Sequence, residues 1–128
     1  MLPITRAAIV VALMASAAAH AAEPDGASLY ANHCSSCHGR WAEGDGPMVP
    51  IMTIAPPSLR TLRARNAGIY PADAIAAYID GRRLVVSHGD RQMPVWGDVF
   101  QSATGGDEAL VAARIKAIIA FIETLQYR

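Results

Sequence analysis

Toward the C-terminus, Val111, Ile115, Ile118, Ile122 and Leu125 recur at alternating steps of four and three, with Phe121 beside them. One apolar stripe at the helical period predicts a helix from near Asp107 to about Gln126. A second pattern lies between Pro71, suited to a first helical position, and Gly81, suited to the position past a helix end. Ile75, Tyr78 and Ile79 fall on one face of it. Near the start, Glu23-Pro24-Asp25-Gly26 reads as a turn with Asp25 as N-cap, followed by a short helix over 26–33 carrying Leu29 and Tyr30. Residues 39–68 and 82–104 lack periodicity and are expected to be loops. The first holds Gly39, Gly44, Gly46 and Gly68 with prolines at 47, 50, 56 and 57, and the second ends near Gly105-Gly106. No run alternates as a strand would, so the fold class is all-α. A loop as long as 39–68 is unusual in a compact domain unless it wraps something.

The N-terminus breaks this pattern. Arg6 precedes an apolar run from Ala7 to Ala19, interrupted only by Ser16, and Ala19-His20-Ala21 has the small-x-small form of a cleavage site. Residues 1–21 therefore read as a secretory signal peptide and 22–128 as the exported mature domain. A helix over that run would reach only about 20 Å, short of the roughly 30 Å hydrocarbon core. No second apolar run is long enough to span a bilayer, so no stable membrane span is expected after cleavage.

Composition narrows the function classes. The chain has 128 residues, with 11 basic and 11 acidic side chains. That balance argues against a nucleic-acid partner, which would draw a basic excess. The charges are unevenly placed: residues 22–58 hold four acids and one base, whereas residues 59–91 hold six arginines and three acids. Such asymmetry could orient the protein on a charged partner, although a solvated surface is the plainer reading. Two cysteines cannot build a multi-bridge scaffold.

Those cysteines sit in Cys34-Ser35-Ser36-Cys37-His38, the C-x-x-C-H signal for c-type haem attachment. Two thiols one helical turn apart can add across the two vinyl groups of one porphyrin, and the histidine directly after is placed under the iron. A redox disulfide of thioredoxin type would need a βαβ setting, and a zinc site would need four N or S ligands, for which no second ligand pair is present.

With this segment in view, the chain resembles a class I monohaem cytochrome c of the bacterial periplasmic kind. Cys34-Ser35-Ser36-Cys37-His38-Gly39 and Met93-Pro94-Val95-Trp96-Gly97 carry the resemblance most specifically. Gly26 and Tyr30, Gly44-Asp45-Gly46-Pro47, Pro56-Pro57-Ser58-Leu59, Ile79 with Gly81, and Phe121 with Leu125 follow in the family's order. The resemblance implies a small all-α fold, its terminal helices crossing and its long loops wrapping one covalent haem c. It also implies Cys34 and Cys37 as attachment points, His38 as proximal iron ligand and Met93 as distal ligand. The lysine ring used for docking by mitochondrial cytochromes c is missing, since Lys116 is the single lysine.

Read from the residues, the sixth ligand has more than one candidate. His33 abuts the proximal segment, and Met48 and Met52 follow His38 closely. Met93 and His88 both lie beyond the middle helix and have ample reach. Pro94 keeps Met93 extended, and the resemblance places the ligand there. The His38 ring nitrogen that does not meet the iron is expected to donate its N–H to a carbonyl near Gly46-Pro47, although Gly44-Asp45-Gly46-Pro47 also reads as a plain tight turn. Trp96, Trp41, Tyr70, Arg82 and Arg83 are candidate donors to the haem propionates. No nucleophile elbow, paired carboxylate motif or phosphate loop is present, so the expected function is one-electron transfer between redox partner proteins rather than catalysis. The alternative is an electron-relay subunit of a periplasmic oxidoreductase complex. An open distal position would instead serve peroxidase or gas-binding chemistry.

Overall fold

The computed structural model describes residues 24–83 and 91–128. The expected signal peptide and the rival ligand His88 lie outside the described residues. Helix α1, Gly26–His33, begins where Asp25 accepts from the N–H groups of Ala27 at 3.1 Å and Ser28 at 3.2 Å. These bonds answer two of the donors that every helix start leaves open. The Ser28 hydroxyl, also donating to Asp25, is the foremost cause holding that carboxyl below the usual range.

Cys34 separates α1 from the short α2, Ser35–His38. A long connection then carries 3-10 turns at Val49–Ile51 and Leu59–Thr61 and the single-turn α3, Leu62–Arg65. Helix α4 is Ala72–Asp80, α5 is Trp96–Ala103 and α6 is Glu108–Thr124. Among the described residues there is no strand, and the chain is all-helical as the patterning implied.

The terminal helices pack together around α6. A Cβ on Gly26 would lie 2.1 Å from the Ala117 carbonyl oxygen, so the start of α1 meets the α6 backbone where only glycine fits. One turn later the Tyr30 and Phe121 rings lie 5.2 Å apart. Val111, Ile115, Ile118 and Ile122 of the predicted stripe are buried, with Ile119 beside them and Leu125 half-buried. Helices α4 and α5 pack against α6 and against each other.

Three expectations change. The 39–68 connection, expected to be loop, holds two 3-10 turns and the single-turn α3. Residues 82–104 are not all loop, because α5 occupies their last third. Its length is eight residues with Gly97 near the start, a weak intrinsic helix former. Tertiary contact supplies what propensity lacks: Trp96 and Phe100 stack one turn apart and both meet the His33 ring edge-on. A Cβ on Gly97 would fall 2.3 Å from Asp80 Oδ1, so α5 seats directly on the end of α4. Pro71 is the N-cap of α4 rather than its first residue, while Gly81 closes the helix in the left-handed conformation as expected, with φ of 71°.

Candidate haem site

The attachment segment is folded by its own backbone. His38 N donates to the Cys34 carbonyl at 2.9 Å and Gly39 N to the Ser35 carbonyl at 2.9 Å. A helix this short leaves its last carbonyls open, and the Gly44-Asp45-Gly46-Pro47 turn closes them. The N–H groups of Gly44, Gly46 and Met48 donate to the carbonyls of His38 at 2.8 Å, Cys37 at 3.2 Å and Ser36 at 2.9 Å. A Cβ on Gly46 would fall 2.3 Å from the Ser36 carbonyl oxygen, so this grip needs glycine. The buried Tyr30 hydroxyl donates to the Gly39 carbonyl at 2.8 Å and fixes the same segment from α1.

The turn thus serves the backbone of α2 and not the His38 ring. The expected carbonyl partner from Gly46-Pro47 is not found: His38 Nδ1 is buried with no hydrogen-bond partner. Burial pushes the imidazole pKa down, which keeps the ring neutral and its lone pair available to a metal. Burial, followed by the nearby Cys37, pushes the Cys34 thiol up to about 12. Among the described residues no group of three or more His, Cys, Asp or Glu is arranged to hold a metal ion by itself.

All four residues singled out from the sequence, Cys34, Cys37, His38 and Met93, line one cleft of about 940 Å³. That volume lies near the upper end of the roughly 300–1,000 Å³ range of small-molecule sites. Ile118 and Ile122 of α6 and Ile75 and Ile79 of α4 form much of its apolar wall. Residues from the 39–68 connection, Pro56, Pro57 and Leu59 among them, close another side, so this loop does wrap a space. Met93 arrives from the segment before α5, packed against the core.

Met52 also lines the cleft. Its closeness to His38 in sequence does not keep it away, because the 3-10 turn at Val49–Ile51 folds the chain back. Met48 is 42% exposed and lies off the cleft. Of the expected propionate donors, Trp96 lines the cleft but spends its ring faces on His33 and Phe100. Trp41 is 58% exposed and lies off the cleft. The Tyr70 hydroxyl donates to the Ile119 carbonyl at 2.9 Å, and Arg82 is paired with Asp80 and Glu108. Arg83 is exposed on the groove between α4 and α6.

Sequence reasoning missed Arg91, which lines the cleft beside Met93. Its Nε donates to the Met93 carbonyl at 2.6 Å, and its Nη2 donates to the Pro94 carbonyl at 3.1 Å and to the Tyr78 carbonyl. The short spacing of Arg91 from Met93-Pro94 was the only sequence signal available.

An apolar cleft of this size suits a porphyrin. Two thiols and an imidazole stand on one wall, and a thioether stands on the wall formed before α5. The donor set supports the fit: the two thiols sit one turn apart, and burial favours the neutral His38 imidazole that a metal needs. Among the described residues no helix is long and apolar enough to cross a membrane. No curated protein and no solved structure matches the chain. The family model described as "Cytochrome C oxidase, cbb3-type, subunit III" matches residues 21–122. The chain belongs to that family and is a c-type cytochrome domain with covalently bound haem c and an electron-transfer function.

Proposed function

We propose that the chain is a periplasmic electron-transfer protein, exported by residues 1–21 and maturing as a domain over 22–128. Cys34 and Cys37 hold the porphyrin as thioethers, each S–H adding across one vinyl group with no net oxidation. His38 would supply an imidazole nitrogen and Met93 a thioether sulfur to its iron. One observation carries this reading: Met93 and the C-x-x-C-H segment, far apart in sequence, line one apolar cleft. The haem supplies a one-electron Fe(III)/Fe(II) couple, reduced by one partner protein and oxidised by another. The chain's own levers on that couple are the axial ligands, burial and hydrogen bonding around the cleft. Thioether ligation places the potential above that of a bis-histidine centre.

A second reading is favoured by the description of the family: the domain as an electron-relay subunit of a periplasmic oxidoreductase complex. Purification from the native source separates the two. A stoichiometric partner chain supports the subunit, and a monodisperse single chain supports the free carrier.

The ligand assignment is tested in the matured holoprotein. Met93→Ala should abolish the weak far-red absorption of thioether-ligated ferric haem and allow carbon monoxide to bind the reduced form. His88→Ala should change neither. Survival of the far-red band in Met93→Ala would show the assignment to be wrong.

A further inference from the structure

After α6 the chain crosses back over a segment that closes the cleft. The Gln126 side chain uses both ends of its amide there. Its Nε2 donates to the Leu59 carbonyl at 2.7 Å and to the Ile122 carbonyl at 3.1 Å, and its Oε1 accepts from Arg63 N at 2.9 Å. Neighbouring residues add to this hold. Tyr127 N donates to the Arg60 carbonyl at 3.0 Å, and Arg60 Nε donates to the Leu125 carbonyl at 3.0 Å. The Tyr127 hydroxyl and Arg60 Nη1 meet on Glu43 Oε1, at 2.6 and 2.7 Å, and the Arg60 guanidinium carbon lies 4.1 Å from the Tyr127 ring centre. The segment gripped in this way has little hold of its own: it is the 3-10 turn Leu59–Thr61 followed by the single-turn α3, and a lone turn forms at a net entropic cost. Leu59 and Leu62 on it line the cleft.

Resting on the haem reading above, we propose that residues 125–127 form a clasp that sets how closely the 59–63 segment shuts the cleft, with Gln126 as its positioning residue. Gln126 is half-buried and is bonded at both ends of the segment, at Leu59 and at Arg63, so it brackets Leu62. The hold carries inward, because Leu59 N donates to the carbonyl of the buried Ala42 at 2.8 Å. The Arg63–Glu123 ion pair spans the same gap but lies at the surface, where such a pair contributes little. Ferric haem carries one more positive charge than ferrous haem, so an apolar wall that keeps water away favours the ferrous form. Loosening the clasp admits water and lowers the potential without touching an iron ligand.

The test compares wild type with Gln126→Met, which keeps the length of the side chain and loses its hydrogen bonds, both as matured holoproteins. Amide hydrogen exchange read by NMR reports local opening, and an optical titration reports the potential. Gln126→Met should speed exchange at Arg63 N–H by about tenfold, leave His38 and Gly39 at their wild-type rates, and lower the potential. An unchanged rate at Arg63 would show the clasp to be idle. Equal acceleration at His38 and Gly39 would show a general loss of stability, and faster exchange at Arg63 with an unmoved potential would show a wall without influence on the iron. Each of these three results overturns the proposal. Should the variant fail to mature, exchange in the wild-type holoprotein decides. Tyr127 and Arg63 amides that open with one free energy support the clasp, and a Tyr127 amide exchanging as free chain while Arg63 stays protected refutes it. A colourless wild-type chain would mark failure of the haem reading instead.

Discussion

The two walls of the cleft are built in different ways. The Cys34–His38 wall is local and doubly anchored. Consecutive backbone bonds fold it, the 44–48 turn caps its carbonyls, and Tyr30 and Gly26 join it to α6. The Met93 wall is assembled at a distance: its carbonyls hang on one guanidinium, and its position depends on α4 ending at Gly81 and α5 starting at Trp96. The contrast teaches that substitutions on the first wall should act on folding, and substitutions on the second should act on the iron. On the proposed ligation, a wall resting on few contacts leaves room to tune the bond from Met93.

Three substitutions probe that contrast, the largest effect first. Gly26→Val forces a side chain into the Ala117 carbonyl and should cost about 1–3 kcal/mol or more in denaturant unfolding. The far-red band of the folded fraction should survive it. Tyr30→Phe removes one of the two donors to the buried Gly39 carbonyl, leaving the Ala42 N–H at 3.2 Å, and should cost about 0.5–1.5 kcal/mol in the same measurement. If either change removed the far-red band while leaving stability intact, the division between the walls would be wrong.

The smallest effect belongs to the ion-paired cluster behind α5. Arg82 holds Asp80 and Glu108 below the usual carboxylate range, its hydrogen bonds being the foremost cause for each. Carboxyls depressed in the folded state contribute stability that is present above their unfolded pKa, near 4, and is lost as pH falls through the folded values. Stability should therefore decline on acidification below about pH 5. Asp80→Asn should flatten that decline by less than about 1 kcal/mol, since these pairs are partly exposed. An unchanged acid limb in Asp80→Asn would remove this pair from the account.

The sequence made some of this legible and concealed the rest for physical reasons. Helices α1 and α6 could be read because Asp25 and Asp107 cap them and because the α6 stripe repeats over several turns. The attachment segment could be read because its chemistry requires neighbouring residues. Helix α5 was hidden because its stability comes from His33 and from the end of α4, neither of which is near in sequence. The single turn of α3, four residues long, offers no period to detect. Glycines at 44 and 46 mark a close backbone approach in the sequence, but only the fold shows that α2 carbonyls, and not the His38 ring, are what is approached. Arg91 looked like one more member of an arginine-rich stretch. Its importance follows from the fold bringing the Tyr78 and Met93 carbonyls to one guanidinium.

Optical redox titration of the purified wild-type holoprotein tests the central claim most directly. The account predicts one haem per chain, a single reversible one-electron step, and a far-red thioether band that is present in the ferric form and absent in the ferrous form. A coloured protein without that band, whose ferrous form takes up carbon monoxide at neutral pH, would contradict closure of the iron by His38 and Met93.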